Sequence, residues 1–173
     1  MILEPPAQHI LLPAKANFIA ASIAAALAFN LLPWQSVRGV PDLLALVLVF
    51  WCVHQPRKMG IGLAWMLGLV MDASNGVLFG QYALAYAALA YAAQALHRRI
   101  LRFPLWQQAA HVLVLLLGSQ VLMLTVRMIA GATYPGLSFF AGSLLAAALW
   151  PLVTYVLLMP QRRPVNVDET TPI

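Results

Sequence analysis

Carboxylates and imidazoles are the side chains of this 173-residue chain that could move protons, and they are scarce: five Asp or Glu and four His. Glu4, Asp168 and Glu169 lie near the termini, which leaves Asp42 and Asp72 as the carboxylates set beside apolar sequence. Two carboxylates can serve as general acid and general base, yet no motif around either residue supports that chemistry. The structural reading is that each caps a helix end, where a carboxylate faces the positive end of the dipole. His9, His54, His97 and His111 all fall in or near segments assigned below to the cytoplasmic side, and none stands in a His-Glu-x-x-His zinc pattern. A phosphate-binding Gly loop and a Gly-x-Ser-x-Gly nucleophile elbow are also missing from the sequence. The single Cys52 cannot build a disulfide framework or a Cys-based metal site within one chain. The chain is therefore expected to be no enzyme and to need no cofactor or metal.

One segment does carry pattern. Gly68, Asp72, Gly76 and Gly80 recur at four-residue steps, and in a helix such steps share one face and permit close backbone contact. The structural reading is a tight hairpin in which Asp72 caps the following helix or accepts backbone hydrogen bonds. The functional reading is a partner or ligand contact through Asp72, because an ionisable group at a membrane edge is costly unless paired or used. Gln120, beside Ser119, sits in a long apolar run where an amide needs a partner from another helix, and is read as structural glue. Arg127, about two turns further on, is placed to snorkel to an interface. Tyr82 and Tyr86 are neighbours on one helix face, read as packing.

The elements that must position these residues are membrane spans. With 62% hydrophobic and 9% charged residues, too little polar side chain exists to cover a water-soluble globule. Six apolar runs are visible: Ala16 to Leu32, ending at Pro33-Trp34; Val40 to Val53, opening on Pro41-Asp42; Met59 to Asp72; Phe79 to Leu96; a run ending near Ile129; and Leu137 to Met159. The second and third cover only roughly 20 Å of a ~30 Å hydrocarbon core, which calls for helices extended into their flanks or a locally thinned bilayer. The fourth holds eight alanines between Gln81 and Leu96 and is expected at the centre of the bundle. Pro104 to Gln108, including Trp106, reads as a short interfacial stretch before the fifth span. Trp150-Pro151 lies inside the sixth, where the missing amide hydrogen should kink the helix.

Charge supplies the orientation. Eight of the ten Lys and Arg (Lys15, Arg57, Lys58, Arg98, Arg99, Arg102, Arg162 and Arg163) fall in alternate gaps, and only Arg38 and Arg127 fall on the other side. The positive-inside rule then puts both ends in the cytoplasm. The sequence pI near 9.9 points to anionic lipid as the partner of these short basic loops, not to nucleic acid. The expected organisation is a cytoplasmic segment 1–15, a six-helix transmembrane domain 16–159 and a disordered cytoplasmic tail 160–173. The first span is read as uncleaved, with the mature chain starting at or near Met1.

Three segments carry a family resemblance: Pro41-Asp42-Leu43-Leu44 running to Phe50-Trp51; Gly68-Leu69-Val70-Met71-Asp72 with Gly76 and Gly80; and Leu105-Trp106-Gln107-Gln108 followed later by Leu149-Trp150-Pro151. In order and spacing they resemble the rod shape-determining protein MreD family, over nearly the whole chain. The resemblance implies an all-α, polytopic inner-membrane scaffold of the bacterial cell-elongation machinery, working with the periplasmic protein MreC, the actin-like MreB and elongasome peptidoglycan synthases. It further implies a six-helix fold similar to the substrate-binding subunits of energy-coupling-factor vitamin transporters. That similarity supplies the alternative, a small-molecule-binding membrane subunit of a transporter. A binding subunit needs convergent polar groups in a cavity, whereas a scaffold needs exposed small-residue or apolar faces. The outer turn near Asp72 and the close-packing faces of spans three and four are the expected docking place for the membrane helix of MreC.

Overall fold

Apolar runs broken by Pro, Gly and basic loops leave the backbone one way to satisfy its amides in a membrane, the helix, and every described element is helical. The computed structural model describes residues 15–32, 39–77, 79–132, 134 and 136–161. Pro33, Trp34 and Arg38, the terminal acids, His9, Arg162, Arg163 and the tail all lie outside the described residues. In order, the helices are α1 (Ala16–Asn30), α2 (Leu43–His54), α3 (Ile61–Asn75), α4 (Gln81–Ile100), α5 (Leu105–Ile129), α6 (Ala141–Ala148) and α7 (Trp150–Leu158), with 3-10 turns at Leu137–Phe140 and Met159–Gln161. No strand occurs among the described residues.

The core sits around α2, whose residues Leu44 to Val53 are all buried. Its 12 residues carry no polar side chain between Leu43 and Val53, and a helix apolar on every face belongs inside a bundle. Helices α1, α4, α5, α6 and α7 all touch it, while α4 packs on α2, α3 and α5. Centrality is thus shared: the alanine-rich α4 was expected there, and α2 is more deeply enclosed. Pro41 precedes the helix and does not open it, because Asp42 is the N-cap and accepts from Ala45 N at 2.9 Å.

Among the described residues α5, with 25 residues, is the helix long and apolar enough to cross a membrane alone. Its first turn is Leu105 to Gln108, directly after Pro104 at the N-cap position, so the short stretch expected to lead into the fifth span is the opening turn of that helix. The pair Leu137–Ala148 and Trp150–Gln161 passes the same test together, bent by 42°. The break falls at Leu149, two residues before Pro151, whose ring removes a donor and crowds the preceding turn. Helices α1, α2 and α3 are apolar but shorter, and Gln55 ends α2 without extending it into its flank.

Candidate functional site

Two ends of the bundle gather its polar side chains. At one, the C-termini of α1 and α3 meet the N-termini of α2 and α4, and two carboxylates organise the junction.

Asp72 lies in the last turn of α3 and is fully buried. Its Oδ2 accepts the amides of Gly80 at 2.9 Å and Ala83 at 3.3 Å, and its Oδ1 accepts Tyr82 N at 2.7 Å. It therefore caps the start of α4 from the preceding helix, where the dipole favours a negative charge. Gly76 ends α3 in the left-handed region at φ 59°, and Gly80 precedes α4 at φ 101°, so the four-residue series does not run along one helix. Gly68 has another role. A Cβ built there would come 2.4 Å from Ala83 Cα and 2.6 Å from Tyr82 O, so α3 and α4 touch backbone to backbone. The small-residue face of α3 is thus already occupied by α4.

Asp42 serves three helices. Besides Ala45 N, its Oδ1 accepts Asn30 Nδ2 from α1 at 2.7 Å, and its Oδ2 accepts the Tyr86 hydroxyl of α4 at 2.8 Å. Each carboxylate thus has its own set of intrachain donors. Tyr82 and Tyr86 meet edge to face with centroids 5.8 Å apart, and Tyr82 with Asp42 lines two cavities, of about 350 and 450 Å³. Gln120 borders the smaller and donates from Nε2 to Phe139 O at 3.3 Å, tying α5 to the 3-10 turn before α6. Close approach recurs there, since a Cβ on Gly142 would stand 2.6 Å from Val40 O.

At the other end, Trp150 is fully buried and donates from Nε1 to Gln108 Oε1 at 3.3 Å. Gln108 in turn donates to Phe103 O at 2.9 Å. Gln94 of α4 donates to Met59 O, securing the loop before α3. His54 stacks on Phe50 with centroids 4.1 Å apart, and the Nδ1 atoms of His54, His97 and His111 each face a backbone carbonyl three or four residues earlier. Among the described residues no three His, Cys, Asp or Glu side chains could hold a metal. Arg57, Lys58, Arg98, Arg99 and Arg102 are exposed here, and Trp106 is 69% exposed beside them. Pro151 is exposed.

Of the residues marked by sequence, Gly68, Asp72, Gly76 and Gly80 come together in the α3–α4 hairpin. Gln120 lies across the bundle on α5, and Trp106, Trp150 and Pro151 belong to the opposite end. Sequence reasoning passed over Asn30, Gln94 and Gly142, read Tyr86 as packing alone, and named Gln108 without a bonding role. The available signal was the same for each polar one: an amide or hydroxyl within or at the end of an apolar run needs a partner.

The family model described as "rod shape-determining protein MreD" matches residues 15–159. The rod shape-determining protein MreD of Haemophilus influenzae is 27% identical over 146 residues, covering 82% of this chain and 88% of that protein. No solved structure matches the chain significantly.

Proposed function

Because the chain belongs to the MreD family and hence to rod-shape determination, we propose that it acts as a non-enzymatic, multi-pass scaffold of the cell-elongation machinery in the bacterial inner membrane. In this reading the helical segments make six crossings with both ends inside, in the manner of energy-coupling-factor substrate-binding subunits, and α1 to α3 span by local thinning of the bilayer. The family assignment does not favour the transporter-subunit alternative.

The observation that carries the scaffold reading is the division of α3. Its inner face is committed to α4 through Gly68 and Asp72, while Leu63, Trp65, Met66 and Val70 stand exposed. An apolar helix face with a rigidly held turn suits a single membrane helix, and MreC is the proposed occupant. Asp72 then acts by holding the turn, since its oxygens are taken. MreB and the peptidoglycan synthases are reached directly or through MreC. The exposed arginines beside Trp106 face anionic lipid headgroups, as a basic and aromatic fringe does at an interface.

Co-purification in mild detergent with tagged MreC tests the reading. Wild type should capture MreC, and Trp65→Ala with Met66→Ala should reduce capture, as should Gly76→Leu and Asp72→Ala through the turn. Undiminished capture by all of them, or none by wild type, would overturn it.

A further inference from the structure

The cavity of about 350 Å³ between α2, α4, α5 and the α5–α6 connection has no role in the scaffold just described. Its polar lining comes from Asp42, Tyr82, Ser119, Gln120, Ser138 and Ser143. The Gln120 amide is oriented by its Nε2–H donating to Phe139 O, which leaves Oε1 buried and without a partner. The Tyr82 hydroxyl, contributed by α4, has no hydrogen-bond partner among the described residues, whereas Asp42 is already engaged by Asn30, Ala45 and Tyr86. An occupant must therefore donate a hydrogen bond to an amide oxygen, and it meets hydroxyls that either give or accept. Exposed apolar residues adjoin this lining in sequence: Val121 follows Gln120, Leu137 precedes Ser138, and Leu144 follows Ser143. A polar hollow behind an apolar surface fits an amphiphile. The volume lies within the roughly 300–1,000 Å³ of small-ligand sites.

We propose that this cavity seats the head group of a phospholipid bearing hydrogen-bond donors, an ethanolamine ammonium or a glycerol diol, donating to Gln120 Oε1, with the acyl chains lying over Leu137 and Leu144. A choline head group has the same charge pattern as ethanolamine but no donor, so it separates hydrogen bonding from shape and charge.

Native mass spectrometry of the full chain in detergent tests this with added phosphatidylethanolamine, phosphatidylglycerol or phosphatidylcholine. Wild type should retain one ethanolamine or glycerol lipid roughly five- to tenfold better than the choline lipid, the effect of one hydrogen bond. Gln120→Met removes the acceptor and should lower retention to the choline level. Ser138→Leu fills the mouth from an exposed turn, sparing the internal hydrogen bonds, and should do the same with unchanged helical content. Retention by ethanolamine alone, glycerol alone or both identifies the donor, because the specific signal is the part the two variants abolish. Equal retention of all three lipids, no retention, or variants that bind like wild type would overturn the site and leave water as the partner of Gln120. The lining avoids the exposed face of α3, so MreC capture and lipid retention can fail independently.

Discussion

The Tyr86 hydroxyl donates to Asp42 Oδ2 at 2.8 Å, joining residues 44 positions apart at the end of the bundle where α1, α2 and α4 meet. Tyr86 is fully buried, so its hydroxyl has no water to fall back on, and Asn30 adds the third helix through Oδ1 at 2.7 Å. The function of this contact is positional: it fixes the wall shared by the two cavities.

Tyr86→Phe should therefore destabilise the folded chain in detergent by about 1–3 kcal/mol, the cost of leaving one buried partner unmade. Asp42→Asn combined with it should cost less than the sum of the two single changes, since both disturb one bond. Thermal unfolding followed by circular dichroism measures all three variants, and strict additivity would contradict the coupling.

Asp72→Ala is expected to be more severe. It strands the amides of Gly80, Tyr82 and Ala83, which now bond to a fully buried carboxylate, and an unmade bond to a buried donor such as Ala83 N costs on the order of 1–3 kcal/mol. Asp72→Asn keeps acceptor capacity on one oxygen and should fall between wild type and Asp72→Ala. Hydrogen exchange at the first turn of α4 reads this directly: it should quicken in the order wild type, Asn, Ala, and equal rates would remove Asp72 from the cap.

How far the sequence foretold this arrangement can be followed through particular residues. Apolar runs located the helices, because burying side chains and satisfying the backbone in lipid demand the same segments. The Asp72 cap was among the stated readings, since a carboxylate beside Gly76 and Gly80 is a local pattern. The partners of Asp42 were not legible: Asn30 and Tyr86 reach it only through the three-dimensional meeting of α1, α2 and α4, which no spacing encodes. The central place of α2 was legible but passed over, since its all-round apolar character weighed less than the alanines of α4. Gly68 was marked for close packing, but only the structure reveals that the contact is internal, with Ala83.

Gly68→Ala and Gly76→Ala separate two uses of glycine that look alike in sequence. At Gly68 the new methyl meets backbone at 2.4 Å, which helices relieve only by moving apart, at a cost of about 3 kcal/mol or more. At Gly76 nothing lies within 4 Å, and the strain is the left-handed φ of 59° alone, worth about 1–2 kcal/mol. Unfolding midpoints in the same detergent should rank Gly68→Ala well below Gly76→Ala. The reverse order would mean that α3 and α4 do not pack as described.

The Trp150 to Gln108 bond makes the last prediction, at the other end of the bundle. Trp150→Phe keeps an aromatic ring against Phe50, whose centroid lies 6.1 Å away, but removes the donor to Gln108 Oε1. The buried amide oxygen is then left unpaired, and the cost should be about 1–3 kcal/mol plus the lost ring volume. Gln108→Leu would not restore stability in the double variant, because the same amide also holds Phe103 O at 2.9 Å and so ties the start of α5 to the loop before it. Trp150→Phe should therefore lower the unfolding temperature, and Trp150→Phe with Gln108→Leu should lower it further. Recovery in the double variant would mean that the Phe103 bond contributes nothing and that Gln108 serves Trp150 alone.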